Sequence, residues 1–192
     1  PPLLAPTGGI TPTFGNNPFS VAIPAGQEPP VVLDIALSVV ALAKVYRALQ
    51  LGQEIRPEWG LDKQGRPTDD PKVAYESGLQ PAIGGHKGYG LAVVIDVLAA
   101  VLTGARSARE VPDFRPAFGV GHFFAVIDPR LFMPYEEFQA RMDNMIRQAK
   151  GSVLAEGVER IYLPGEPEYG EREKRLRKAY RSPMSPASAL MM

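Results

Sequence analysis

The sequence has no cysteine and only two histidines, His86 and His122, among its 192 residues. Without cysteine there can be no disulfide, no thiolate nucleophile and no cysteine-ligated zinc. Two histidines are also too few for a multi-histidine metal centre. We therefore expect no metal site, and the lack of disulfides favours a cytoplasmic protein.

An excess of one charge and long apolar runs are lacking as well. The 21 basic and 21 acidic residues give a net charge of zero, which offers no attraction for nucleic acid or for an anionic membrane. The most apolar run, residues 91–102, is shorter than the roughly 20 residues of a membrane span and contains Asp96. The N-terminus has no basic region followed by an apolar run, so no secretory signal is predicted. These features argue against nucleic acid and a membrane as partners.

Glycine and proline are abundant, with 19 and 20 residues, which is typical of strands and helices joined by tight loops. Alternating apolar residues predict strands and a period near 3.6 predicts amphipathic helices, together an α/β (α+β) protein. Strands are predicted over residues 19–23, 31–33, 121–128 and 161–163. Helices are predicted over residues 35–51, 91–102, 134–150 and 166–180, with Gly52 ending the first and the tail from Ser182 frayed.

Residues 53–83 form a long polar connection. Loops of this length are uncommon inside compact domains and tend to be functional. Apolar residues that can anchor the segment, among them Trp59 and Leu79, favour an ordered loop over a disordered linker.

The glycine-rich segment at residues 84–90 is the main candidate for chemistry. Its glycines allow close approach of a ligand, the helix that follows presents free N–H groups, and Lys87 adds a positive charge. This combination suits a phosphate, a pyrophosphate or a carboxylate, although it is neither a Walker loop nor a complete Rossmann fingerprint. A turn needed only for packing, with Lys87 solvated, explains the same residues. The following helix is apolar almost all round, which predicts a central, buried position.

Several other polar residues allow both a structural and a functional interpretation. Asp34, at a predicted strand-to-helix junction, can cap the helix or hold a ligand. His122 can be a satisfied core residue or can face a ligand. Asp96 needs a partner, because an unpaired buried charge is expensive. Gly165 and Glu166 open the last predicted helix, where an anion or a hydroxyl can bind but a glutamate is also ordinary.

Six motifs follow one another along most of the chain. They are Gly-Asn-Asn-Pro at 15–18, Val-Leu-Asp-Ile-Ala-Leu-Ser at 32–38, Trp-Gly-Leu-Asp-Lys-Gln-Gly-Arg-Pro-Thr-Asp-Asp-Pro at 59–71, Gly-Gly-His-Lys-Gly-Tyr-Gly-Leu-Ala at 84–92, Gly-His-Phe-Phe-Ala-Val-Ile-Asp at 121–128 and Leu-Pro-Gly-Glu at 163–166. With them the chain resembles the malate/L-lactate dehydrogenase family of the non-Rossmann type. Its members include sulfolactate, ureidoglycolate, 2,3-diketogulonate and Δ1-piperideine-2-carboxylate oxidoreductases.

This resemblance implies a fold, an activity and a domain organisation. The implied fold is a mostly antiparallel sheet with packed helices, forming a non-Rossmann dinucleotide-binding domain. The implied activity is hydride transfer between NAD or NADP and a 2-oxo or 2-hydroxy acid, by a homodimer. Residues 1–160 are expected to form the NAD(P)-binding domain, and residues 161–192 a strand and helix that belong with the N-terminal, dimerisation domain.

The resemblance also implies roles for individual residues. Those expected to bind the cofactor are Asp34, Ile35, Ala36 and Ser38 at its nicotinamide half, Lys87 and Gly88 in the glycine turn, and His122, Phe123, Phe124, Gly165 and Glu166 around the rest of the cleft. Asp62 is implied to act in catalysis by orienting the catalytic imidazole.

The chain departs from the family pattern in ways that bear on catalysis. Family members carry a serine-histidine-histidine motif near the N-terminus that supplies the acid/base histidine, and neither His86 nor His122 matches it. Asn16 stands where a threonine is usual. Because the chain also opens without methionine, we expect a fragment that lacks the N-terminal region. The alternatives are a truncated, non-catalytic remnant that binds only nucleotide or a partner, and a phosphate-binding module with no redox role.

Overall fold

The structure, a computed structural model, describes residues 2–111 and 119–181. In chain order its elements are β1 Phe19–Ile23, β2 Val31–Ile35, α1 Leu42–Leu51, α2 Pro71–Ser77, α3 His86–Asp96, α4 Tyr135–Lys150 and α5 Glu166–Arg181. A π-helical turn, Val97–Val101, prolongs α3, and short 3-10 turns are formed by Pro57–Trp59, Ala108–Glu110 and Pro129–Leu131.

Strands β1 and β2 pair with each other. The connection between them is too short for the crossover that a parallel pair needs, so the pair is antiparallel. Both strands lie where the sequence predicts them, β1 from an alternating pattern and β2 from a short apolar run, with β2 continuing to Ile35. Helices combined with an antiparallel sheet confirm the α/β (α+β) class.

Local start and stop signals place most helix ends correctly. Gly52 ends α1 in the left-handed conformation, at φ +62°, and its N–H donates to carbonyls of the last turn. Helix α4 lies between Pro134 and Gly151, and α5 begins at Glu166, as predicted. The predicted frayed tail from Ser182 lies outside the described residues.

The predicted start of the first helix at residue 35 is wrong, because α1 begins at Leu42. The segment before α1 is held extended by residues distant in sequence. Ser38 forms an antiparallel bridge with Ala82, and the Val39 N–H donates to the Pro81 carbonyl at 2.9 Å. An extended segment that is tied in this way cannot close the hydrogen bonds of a helical turn.

The predicted strands at 121–128 and 161–163 are also wrong for the described chain, where both segments are irregular. A strand needs a neighbour that bonds its backbone, and no described segment forms a ladder with either of them. In the first segment Phe124 is 89% exposed and Val126 is 97% exposed. The sequence pattern of a buried strand is therefore present without its packing.

The prediction that the helix after the glycine turn is central and buried is wrong as well. Helix α3 begins earlier, at His86, and buries only small residues, Gly88 and Ala92. Ala92 packs with Leu4 and Leu37 in one core cluster. The opposite side of α3 and its π-helical turn carries half-exposed residues, which we call the α3 stripe: Leu91, Val94, Val97, Val101 and Leu102.

The long connection at residues 53–83 is ordered, as predicted, but it contains helix α2. Asp70 caps α2 by accepting hydrogen bonds from the N–H groups of Lys72 and Val73. A core cluster of Val40, Val45, Ile55 and Ala74 fixes the segment, with Leu42, Ala48 and Trp59 packed against it.

The chain divides into two compact units. The first comprises the described parts of Pro1–Phe19 and Ile35–Val126, and the second comprises Ser20–Asp34 and the described part of Ile127–Met192. The expected cofactor domain at residues 1–160 and its companion at 161–192 stay predictions. Among the described residues, no helix combines the length and the apolar character that crossing a bilayer requires.

Candidate functional site

In the first unit, the extended segment at residues 35–38 lies beside residues 82 and 83, which lead into α3. The Ile83 N–H donates to the Leu37 carbonyl at 2.9 Å, beside the bridge between Ser38 and Ala82. Ile35, Ala82 and Ile83 pack together against the core cluster that contains Leu37. Tertiary packing therefore brings Ile35, Ala36 and Ser38 next to the residues that immediately precede the glycine turn.

The glycine turn presents an uncapped helix N-terminus. Gly84 and Gly85 have φ values of +57° and +62°, which only glycine adopts without strain. Gly85 is the N-cap of α3 and has no side chain that could cap the first turn, in which the Lys87 N–H donates to the Gly84 carbonyl at 3.3 Å. Lys87 lies in that turn with its side chain exposed. Free N–H groups, the positive end of the helix dipole and an ammonium group together suit an anionic ligand.

Gly88, in contrast, has a clear packing role. It is buried, and a Cβ at this position would overlap the carbonyl oxygen of Ile83. Gly90 lies two residues further on with nothing within 4 Å of a Cβ. The turn thus serves packing at Gly88 while it leaves space around Gly84, Gly85 and Gly90.

Ser38 carries a buried hydroxyl without a partner. The residue is 4% exposed, and its Oγ has no hydrogen-bond partner among the described residues. Leaving a buried hydroxyl unpaired costs about 1–3 kcal/mol, and folded proteins retain few such groups. Because Ser38 is bridged to Ala82, directly before the glycine turn, its orphan Oγ fits a polar ligand atom supplied from outside the described chain.

Asp34 does not cap α1, so that structural interpretation is wrong. It lies inside β2 with its side chain exposed, and Ala41 is the N-cap of α1. Asp34 belongs to the second unit, whereas Ile35 begins the long segment of the first. Its role as a ligand residue stays a prediction.

The segment with His122, Phe123 and Phe124 is anchored at the far end of the long helix. A Cβ on Gly121 would overlap the Ala99 carbonyl oxygen, so the backbones pack closely there. Lys87 is in the first turn of this helix, roughly 18 Å from Ala99 at 1.5 Å per residue. The rings of His122 and Phe124 lie 6.2 Å apart. The described contacts do not bring this segment to the glycine turn.

Asp62 organises its own turn. Its Oδ1 accepts hydrogen bonds from the N–H groups of Gln64 and Arg66, each at 2.9 Å, and its Oδ2 accepts one from Arg66 Nε at 2.8 Å. The hydrogen bond from the Arg66 N–H is the main cause of a lowered pKa for Asp62, and the Arg66 guanidinium and Gln64 N–H lower it further. The carboxylate is therefore held ionised and oriented, and its catalytic role stays a prediction.

In the second unit, Gly165 and Glu166 shape the start of α5. Gly165, at φ +91°, packs against the backbone of Val32. Glu166 Oε2 accepts from the Leu163 N–H at 2.9 Å, and Oε1 pairs with Lys150 Nζ at 2.5 Å. Burial by itself raises the pKa of Glu166, but the hydrogen bonds from Lys150 and Leu163 outweigh it and lower the pKa. Local partners thus occupy this carboxylate.

Asp143 carries a buried carboxylate that was not predicted from the sequence. Its carboxylate accepts hydrogen bonds from three consecutive N–H groups, those of Gly26, Gln27 and Glu28, at 2.9–3.1 Å. The bond from Gln27 is the main cause of a lowered pKa for Asp143. The available signal was an acidic residue three positions before Ile146, on the buried side of an otherwise amphipathic helix.

Asp96 has the partner that its position requires, because its Oδ2 accepts from the Ala108 N–H at 3.1 Å. Within the described ranges, no group of three or more histidine, aspartate or glutamate side chains could hold a metal ion.

Comparison with known proteins gives these features a family context. The model of the malate/L-lactate dehydrogenase family matches residues 1–185. Malate dehydrogenase of Pyrococcus horikoshii is 36% identical over 184 residues, which cover 92% of this chain and 51% of that protein. The NADP(+)-dependent (2R)-3-sulfolactate dehydrogenase of Chromohalobacter salexigens is 36% identical, with 91% and 51% covered. The NAD(+)-dependent ureidoglycolate dehydrogenase of Escherichia coli is 34% identical, with 86% and 48% covered.

Solved structures agree. The crystal structure of malate dehydrogenase from Entamoeba histolytica superimposes with a TM-score of 0.81 at 28% identity, covering 91% of this chain and 52% of that one. The chain therefore shares the fold of these dehydrogenases. It spans about half the length of the curated relatives that it matches.

Proposed function

Because the chain belongs to the malate/L-lactate dehydrogenase family, we propose that the whole protein is an NAD(P)-dependent oxidoreductase. It transfers a hydride between the nicotinamide and a 2-oxo or 2-hydroxy acid. The relatives act with NAD(+) in one case and NADP(+) in another, and they favour an oxidoreductase over a remnant that only binds nucleotide. A homodimer and a cytoplasmic location complete the proposal.

The observation that carries this proposal is the orphan hydroxyl of Ser38 beside the uncapped start of α3. When bound, the nicotinamide supplies the hydride chemistry, and the protein binds and orients it. Ser38 Oγ offers one hydrogen bond to the cofactor, together with the backbone at Ile35 and Ala36. The first turn of α3 and Lys87 hold a phosphate or carboxylate group of the ligands.

The remaining roles follow the same proposal. We assign further cofactor contacts to Asp34, His122, Phe123, Phe124, Gly165 and Glu166 on the basis of family membership, and Gly88 lets the backbone pack tightly behind Lys87. Asp62 orients the acid/base imidazole. That imidazole would protonate the developing alkoxide during reduction, a task suited to a group that titrates near neutral pH. Neither His86 nor His122 is assigned to it.

Titration of the chain with NADH and NADPH, followed by nicotinamide fluorescence, tests cofactor binding. Ser38→Ala should weaken binding about tenfold, because a hydrogen bond to the cofactor is lost. The same variant should unfold at a higher temperature, because it removes a buried hydroxyl that has no partner among the described residues. A ligand role and a packing role for Ser38 thus predict opposite changes in stability.

Lys87→Ala should weaken binding by about 10- to 100-fold, as expected for the loss of a charge-assisted hydrogen bond. Lys44→Ala, which removes another exposed lysine, is the matched control and should bind like the wild type. If NADH or NADPH binds saturably and neither Ser38→Ala nor Lys87→Ala weakens the binding, the cofactor does not bind at this site. A dehydrogenase assay of the full-length gene product, over a panel of 2-oxo acids with both cofactors, tests the activity and identifies the substrate.

A further inference from the structure

The turn at residues 15–18 contacts both parts of the proposed cofactor site. Asn16 accepts at its carbonyl a hydrogen bond of 2.8 Å from the Leu37 N–H, in the segment that carries the orphan hydroxyl. Asn17 contacts a different element, because its side-chain Nδ2 donates to the Ala92 carbonyl at 2.8 Å. Ala92 is a buried residue of α3, the helix that begins at the glycine turn. Two adjacent residues therefore hold the segment and the helix together.

Asn17 adopts a backbone conformation that is costly for a residue with a side chain. Its φ is +33°, in the left-handed region, although asparagine enters this region more readily than most residues. Such a conformation persists only when the surrounding structure holds it, and it is common at ligand sites. The hydrogen bond to Ala92 joins residues 75 positions apart, so tertiary structure holds Asn17. The strain and the long-range bond together indicate a role beyond making a turn.

The contacts of this turn complete a closed ring of bonds. On the other side of the ring, the Ile83 N–H donates to the Leu37 carbonyl at 2.9 Å, and the chain continues from Ile83 through the glycine turn into α3. Phe14, just before the turn, packs edge-on against Tyr89 of α3, with ring centroids 5.8 Å apart. Both backbone polar groups of Leu37 are thus bonded, and its side chain is fully buried. The segment that carries Ser38 cannot move along α3 unless one of these bonds breaks.

We propose that Asn17 is a positioning residue that fixes the spacing between Ser38 Oγ and the first turn of α3, so that one dinucleotide reaches both. This role rests on the cofactor site proposed above. Asn17 acts through the segment and the helix that its turn joins, and not by touching the ligand. A ligand that engages two sites gains affinity only when the geometry permits both contacts at once. Loss of the Asn17 amide should therefore weaken binding of the whole dinucleotide more than binding of either half.

Two variants remove the hydrogen bond to Ala92 and keep the backbone of the turn. Asn17→Asp replaces the donor by an acceptor, and Asn17→Gly removes the side chain, while both residues tolerate the left-handed conformation. Asn17→Gly also relieves the strain at φ +33°, so it should unfold close to the wild-type temperature and serves if Asn17→Asp does not fold. Asn144→Asp makes the same change at an exposed asparagine of α4 and is the matched control.

Three ligands distinguish positioning from a general loss of structure. NADH and reduced nicotinamide riboside are followed by nicotinamide fluorescence, and ADP-ribose by calorimetry. Both variants at position 17 should bind NADH about tenfold more weakly, or worse, and Asn144→Asp should bind like the wild type. The riboside lacks phosphate and ADP-ribose lacks the nicotinamide, so each should stay within about twofold of its wild-type affinity. A merely structural role would weaken all three ligands by the same factor, because only the folded fraction binds.

The variants Ser38→Ala and Lys87→Ala separate failure of this role from failure of the cofactor site. If they weaken NADH binding and both variants at position 17 do not, Asn17 does not position the cofactor. An equal loss of affinity for NADH and for the two halves also overturns the proposal. If NADH binding is indifferent to Ser38 and Lys87 as well, the cofactor site is wrong and the role of Asn17 falls with it.

Discussion

The carboxylate of Asp143 accepts hydrogen bonds from the N–H groups of Gly26, Gln27 and Glu28, in the connection between β1 and β2. These residues form no regular structure, so a side chain has to supply the hydrogen-bond acceptor for their N–H groups. Gln139, one turn earlier on α4, adds a bond from its Nε2 to the Ala25 carbonyl at 3.2 Å. The loop is therefore fixed to α4 by polar contacts.

Asp143→Ala should lower the unfolding temperature by several degrees, because three N–H groups lose their acceptor. Amide exchange at Gly26, Gln27 and Glu28 should accelerate in the same variant. The control is Glu137→Ala, which removes an exposed ion pair with Arg141 on the same helix and should change little. If the exchange rates of the loop are unchanged in Asp143→Ala, the carboxylate does not hold it.

Residue chemistry also decided how much of the candidate site was foreseeable. Residue type made Lys87 and its glycines candidates, but it fitted a turn needed only for packing equally well. The isolation of Ser38 Oγ could not be foreseen, because it depends on the bridge to Ala82, which is distant in sequence. Asp143 was missed for the same reason, since its partners lie on a loop more than 100 residues earlier.

At the level of elements, the two glycines of α3 make a matched pair. Gly90→Ala should stabilise the chain by about 0.5–1 kcal/mol, because alanine is the better helix former and the added methyl group meets nothing. Gly88→Ala should destabilise it by about 2 kcal/mol or more, because the methyl group would overlap the Ile83 carbonyl. Denaturant unfolding of both variants measures the difference. Equal effects of the two substitutions would contradict the packing described at Gly88.

Helix ends were predictable where a local signal sets them and not where tertiary contacts do. Gly52 stops α1 through its own left-handed conformation, and Pro134 and Gly151 flank α4 as the sequence predicted. The start of α1 moved from residue 35 to Leu42, because residues 81–83 hold the preceding chain extended. Helix propensity depends on nearby residues, so it does not account for tertiary contacts with residues that far away along the chain.

For the molecule as a whole, the failed predictions of burial have one physical origin. Residues 120–126 and the α3 stripe carry the apolar patterns of buried elements, and the sequence therefore predicted burial for both. Burial requires a covering layer, and the described chain provides none over these surfaces. A pattern shows which residues tend to be buried but not which polypeptide covers them.

The pH dependence of stability is a property of the whole chain. Among the described residues, five carboxyl groups have a pKa lowered from the ordinary value of 3.8 for aspartate or 4.5 for glutamate: Asp62, Asp128, Asp143, Glu166 and Glu171. A lowered pKa in the folded state means that the unfolded state binds protons first as the pH falls. The stabilisation is therefore complete above the ordinary values and is lost as the pH drops through the lower values of the folded state.

Urea unfolding at a series of pH values between 6 and roughly 2.5 measures this loss, because the slope of stability against pH counts the protons taken up on unfolding. Stability should stay level down to about pH 5 as far as these carboxyl groups determine it, and should then fall steadily. Asp143→Asn should flatten the acid limb, because the variant lacks one of the groups that unfolding protonates. Glu171→Gln should flatten it less, because that exposed pair with Lys174 is screened by solvent. An acid limb equally steep in wild type and Asp143→Asn would show that the buried carboxylate takes no part in acid unfolding.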